Sequence, residues 1–144
     1  MSCLRAMTAC DIRPPMRVAV LGGGSWGTSL AKLLSENDHQ TTMWVHNPEV
    51  CGIIDEKREN TVYLPGFALP PTLAVTSDLG AALAGAEMVL YVSPSHVARE
   101  IMQKARPSMP AGIPVVSASK GVEEGSMKRM SEVIAEALGR PDVA

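Results

Sequence analysis

The run Gly22-Gly23-Gly24-Ser25-Trp26-Gly27 restricts this chain more than any other stretch. It satisfies G-x-G-x-x-G directly after the apolar residues Val18-Ala19-Val20-Leu21 and at the head of a helical pattern. In that setting the first glycine permits a tight strand-to-helix turn, and the second clears a side chain from the path of a pyrophosphate. The third lets helix and sheet pack closely. Unpaired N–H groups and the helix dipole then favour an anion at the start of the helix. The spacing predicts a dinucleotide site framed by Gly22, Gly24 and Gly27; the plainer alternative is a glycine cluster serving only as a turn. Trp26, Leu30, Leu33 and Leu34 recur at helical intervals, which predicts one apolar stripe facing the sheet.

Strand-like and helical patterns alternate from Arg17 onward, which predicts parallel strands joined by crossovers. Residues 41–45 read as a second strand. Asn47-Pro48-Glu49 then supplies an N-cap, a proline at the first helical position and an acid in the first turn, opening a helix to about Arg58. Residues 60–71, with prolines at 65, 70 and 71, read as an irregular loop and a candidate functional segment. Residues 73–76 read as a strand, Ser77 as the cap of an alanine-rich helix to Ala84, and residues 88–92 as a central apolar strand. A helix ending near Ala105 follows, then a strand over 114–118. Ser126 reads as the start of a helix with Met127, Met130, Ile134 and Leu138 on one face, stopped by Gly139 and Pro141. The expected fold class is α/β: a Rossmann-like doubly wound parallel sheet with helices on both faces, over residues 16–144.

Composition sets the remaining bounds. With 46% hydrophobic but only 3% aromatic residues, the core must be aliphatic, as in buried parallel sheets. A net charge of -2 gives no long-range pull toward nucleic acid or anionic membranes, so neither is an expected partner. Cys3, Cys10 and Cys51 form no C-x-x-C pair, which indicates neither a disulfide framework nor a metal site and suits a reducing cytoplasm. No apolar run is long enough to span a bilayer. Residues 1–15, ending in Pro14-Pro15, read as a disordered tail or an upstream start.

Three polar positions fall at predicted carboxyl ends of strands, the edge where open α/β sheets bind ligands. After the second strand, where NAD-selective domains carry an acid, the chain has His46-Asn47. Without a carboxylate there is no like-charge penalty against a 2′-phosphate, and no arginine stands beside these residues to enforce one. Use of both NAD and NADP is expected, with a mild NADP preference that grows as His46 protonates. Lys120 follows the fifth strand and is either a cation for an anionic substrate or an ordinary surface lysine. His96 follows the fourth and is either a catalytic base or part of the cleft wall.

Residues 18–28, Val-Ala-Val-Leu-Gly-Gly-Gly-Ser-Trp-Gly-Thr, resemble the opening of bacterial NAD(P)-dependent sn-glycerol-3-phosphate dehydrogenase. Trp44-Val45-His46-Asn47-Pro48-Glu49, Asn60-Thr61-Val62-Tyr63-Leu64-Pro65-Gly66, Pro94-Ser95-His96 and Ser119-Lys120-Gly121 with Glu124 fall in that family's order. The likeness runs from about Arg17 to Leu138. It implies that Ser25, Trp26 and His46 contact cofactor and that Lys120 touches both cofactor and substrate. The implied reaction is reversible hydride transfer between NAD(P) and dihydroxyacetone phosphate, giving sn-glycerol 3-phosphate for phospholipid synthesis, in an enzyme expected to be a homodimer.

In that family a lysine of a helical second domain is the general acid/base, so the resemblance implies no catalytic residue within this chain. The family also continues with another strand and a Ser-Gly-Pro-type turn. The chain is expected to stop before its last strands and the substrate domain, and to be inactive alone. Three other readings remain at this point. One is a related two-domain dehydrogenase acting on a hydroxyacyl-CoA or ketopantoate; another is a non-catalytic nucleotide-sensing module; the third is a structural fragment with an exposed docking face.

Overall fold

Five parallel strands form one sheet in the order β3-β2-β1-β4-β5. They are β1 (Arg17–Leu21), β2 (Gln40–Trp44), β3 (Ala74–Thr76), β4 (Met88–Tyr91) and β5 (Val115–Ser117). The computed structural model describes residues 14–144. The expected tail therefore lies outside the described residues except for Pro14 and Pro15, which are exposed and in no regular element.

Two largely aliphatic cores, one of which also buries Trp44 and Tyr91, hold the helices to the two faces. On one side, α1 (Ser25–Glu36) and α2 (Pro48–Lys57) enclose Val18, Val20, Ala31, Met43, Val50, Ile54 and Leu73. On the other, α3 (Leu79–Leu83), α4 (Ala98–Ala105) and α5 (Met130–Leu138) enclose Leu83, Val89, Met102, Val133 and Ile134. This is the doubly wound, Rossmann-like arrangement expected. The middle strand is β1, whereas the apolar strand expected to be central, β4, is the interior strand beside it. The chain grows outward from β1 through β2 to β3, then returns to the other side of β1 as β4. Ligands bind in the crevice that such a switch of direction opens at the carboxyl ends of the strands.

Several local expectations need correction. The α1 stripe does not face the sheet as a whole: Trp26 and Leu33 are 54% and 55% exposed, while Gly27, Thr28, Ala31 and Ser35 are buried. Leu30 and Leu34 pack along the margin of the core. A helix drawn tight against its own glycine turn has room beneath it only for small residues. Asp78, not Ser77, caps α3, its carboxylate accepting from the Ala81 N–H at 3.0 Å. The Ser77 carbonyl instead accepts from the Trp44 indole.

The last helix starts at Met130 rather than Ser126. Met127 is 72% exposed with a positive φ of 56°, because residues before Arg129 are turned back on themselves. Glu123 N–H donates to the Lys128 carbonyl and Met127 N–H to the Glu123 carbonyl. Beyond β5, Val143 forms a single parallel bridge to Val115.

Candidate dinucleotide cleft

Where β1 ends, the backbone turns through Gly22 at a φ of 146°, and a β-carbon there would stand 2.9 Å from the Ser93 nitrogen. Gly24 sits at the N-cap of α1 in extended conformation, and a β-carbon on it would meet no protein atom within 4 Å. The two glycines differ in kind: the first is required by the protein's own packing, and the second leaves open space. No side chain caps α1 and no acid occupies its first turn. By contrast, Asn47 Oδ1 caps α2 by accepting from Glu49 and Val50 N–H at 2.8 and 3.2 Å, with Glu49 adding an acid. The first N–H groups of α1 therefore lack an internal anion, which fits an external one.

These N–H groups open on a cleft of about 610 Å³ across the carboxyl ends of the strands, within the range of small-molecule sites. All seven expected site residues line it: Gly22, Gly24, Ser25, Trp26, Gly27, His46 and Lys120. His46 is exposed and meets the Trp44 ring edge-on, with centroids 5.6 Å apart. Asn47 also lines the cleft, but its oxygen is committed to the α2 cap, leaving only its amide hydrogens for a ligand. His96 is exposed and does not line the cleft.

Hydroxyls tie the strand ends together. Ser93 Oγ donates to the Leu21 carbonyl at 3.0 Å, Ser119 Oγ donates to the Ser93 carbonyl at 2.5 Å, and the buried Tyr91 hydroxyl donates to the Pro94 carbonyl at 2.9 Å. The ends of β1, β4 and β5 are thus held in register one residue before Lys120. Arg99 on α4 grips Glu123 at 2.7 and 2.8 Å, which steadies the segment that follows Lys120.

Residues 17–144 match the family described as NAD-dependent glycerol-3-phosphate dehydrogenase N-terminus. The chain belongs to that family. Among its relatives, glycerol-3-phosphate dehydrogenase [NAD(P)+] of Geobacillus thermodenitrificans is 44% identical over 121 residues, covering 84% of this chain and 35% of the relative. That of Stenotrophomonas maltophilia is 46% identical over 123 residues, covering 85% and 36%. The crystal structure of glycerol-3-phosphate dehydrogenase from Coxiella burnetii superimposes with a TM-score of 0.82 at 32% identity, covering 90% of this chain and 39% of that one. The chain spans little more than a third of the length of the curated relatives it matches.

Sequence reasoning assigned no individual role to three residues at or behind the cleft. Tyr63, 53% exposed, forms a wall from the proline-rich loop. Gly23 leaves room for Val45, whose methyls would lie 2.8 and 2.9 Å from a β-carbon there. Asn60 is wholly buried behind the glycine turn. The loop was legible as a functional candidate from its prolines, but a lone asparagine or tyrosine in it carries no spacing signal. Among the described residues no helix is long and apolar enough to cross a membrane.

Proposed function

We propose that this chain binds NAD or NADP as the cofactor-holding part of a cytoplasmic, homodimeric enzyme. Its reaction interconverts dihydroxyacetone phosphate and sn-glycerol 3-phosphate. The observation that carries the proposal is the shared cleft, with the uncapped N-terminus of α1 and Lys120 lining the same space. Family membership supports the same reading.

Residues of the cleft divide by chemistry. The open position at Gly24 and the free N–H groups of Ser25, Trp26 and Gly27 receive the pyrophosphate. His46 stands at the end of β2, the place that recognises the adenine-side ribose and any 2′-phosphate on it. The nicotinamide ring supplies or accepts the hydride when bound. Lys120 holds negative charge of the substrate phosphate or the forming alkoxide by a charge-assisted hydrogen bond.

The test is a chimera in which residues 17–144 replace the matching segment of the Geobacillus thermodenitrificans relative. It is expected to oxidise NADPH with dihydroxyacetone phosphate, and Lys120→Met is expected to lower kcat/KM about a hundredfold. A chimera that folds, binds NADPH and reduces other carbonyls but not this one would overturn the substrate assignment.

A further inference from the structure

Asn60 begins the exposed loop after α2, yet it is 0% exposed itself. Its Nδ2 donates to the Gly23 carbonyl at 2.9 Å and to Thr28 Oγ1 at 2.8 Å, while its Oδ1 accepts from the Tyr63 N–H at 3.1 Å. The Gly23 carbonyl can only accept and the Tyr63 amide can only donate, so the partners fix which way the side-chain amide lies. Both amide hydrogens are spent, one on the glycine turn and one on the first turn of α1. The Asn60 carbonyl in turn accepts from the Leu64 N–H at 2.8 Å, so the loop closes on the same residue.

The peptide gripped by Asn60 joins Gly23 to Gly24. A trans peptide points its C=O and N–H in opposite directions, so holding the Gly23 oxygen on the buried side sends the Gly24 N–H away from Asn60. Gly24 lines the cleft and leaves open space around it. A peptide between two glycines has the least steric resistance to turning over. Were it to flip, a carbonyl oxygen would replace an N–H on the surface that must receive an anion, turning attraction into repulsion.

We propose that Asn60 is a positioning residue for phosphate recognition. It locks the Gly23–Gly24 peptide with its N–H toward the cleft and, through the Tyr63 amide, fixes the tyrosine wall against the same turn. The inference rests on the dinucleotide reading of the cleft.

The test uses the 144-residue chain with NADPH and ADP as probes, comparing Asn60→Ala, Asn60→Asp and the core variant Leu73→Ala. Asn60→Ala is expected to weaken both ligands about tenfold. Asn60→Asp, which keeps the acceptor for Tyr63 but supplies no donor to Gly23, loses at least as much. Leu73→Ala, at a matched loss of thermal stability, keeps its affinities within about twofold.

In unliganded protein, amide spectra of both Asn60 variants should show the Gly24 N–H displaced or broadened, and that of Leu73→Ala should not. Affinity losses in the Asn60 variants no larger than in Leu73→Ala, or an unmoved Gly24 amide, overturn the proposal. A wild-type chain that binds neither probe overturns the dinucleotide reading and this inference with it. If the Asn60 variants do not fold, the wild type carries the test. Saturating NADPH should shift the Asn60 side-chain amide protons but not those of Asn37, which bond to Leu33 at the far end of α1; unmoved Asn60 protons overturn it.

Discussion

A β-carbon placed on Gly27 would overlap the carbonyl oxygen of Gly22. The first turn of α1 thus rests directly on the backbone of the turn that precedes it. In Gly27→Ala, backbone must move from backbone, because no flexible side chain stands between them to yield. Overpacking of this kind costs about 1–3 kcal/mol, and urea unfolding should register that loss together with loss of NADPH binding. An unchanged unfolding midpoint would contradict the packing described.

The buried face of α1 makes a second prediction. Leu33→Ala on the exposed side should change stability by less than about 0.5 kcal/mol, whereas Ala31→Leu, at a fully buried position, should cost about 1–3 kcal/mol. Unfolding midpoints of the two variants check the order. The reverse order would restore the stripe expected from the sequence.

Hydrogen bonds from Arg99 and Ser126 hold the Glu123 carboxyl down to about 2, from an ordinary 4.5. A carboxylate depressed in the folded state stabilises it above the unfolded value, and that contribution disappears as pH falls through the folded value. The melting temperature of wild type should therefore exceed that of Arg99→Ala at neutral pH, with the gap closing between pH 4.5 and pH 2. Glu136, lowered by Lys128 and Arg99, adds to the effect with the same sign. A gap that persists unchanged at pH 2 would show that Arg99 acts by packing instead.

His46 lines the cleft with its ring exposed. If it meets a 2′-phosphate, His46→Ala should weaken NADPH binding about three- to tenfold. NADH affinity should stay unchanged in that variant. NADPH affinity indifferent to His46→Ala removes His46 from cofactor recognition.

Much of this architecture was legible because its signals are local. Pro48 after Asn47, the αL glycine at position 139 and the apolar strands each state their conformation within a few residues. The glycine turn likewise announces a site, since its spacing has few other uses beside a strand. The misread elements depended on distant partners. Trp26 and Leu33 have helical spacing for burial, but the proximity of α1 to its own turn reserves the inner face for Gly27 and Ala31. Met127 has the right interval from Met130, yet the segment around Glu123 folds back on itself and holds the methionine outside. Asn60 could not be singled out because its partners, Gly23 and Thr28, lie 37 and 32 residues away.

Gly24 offers the most direct test, because a β-carbon there would meet no protein atom within 4 Å and its extended backbone accepts any residue. Gly24→Val should leave folding intact and fill only the space reserved for the pyrophosphate. Calorimetric titration of NADPH into the wild-type chain should give saturable binding that falls at least about a hundredfold in Gly24→Val at an unchanged melting temperature. Equal NADPH affinity in the two folded proteins would contradict a dinucleotide bound across this turn.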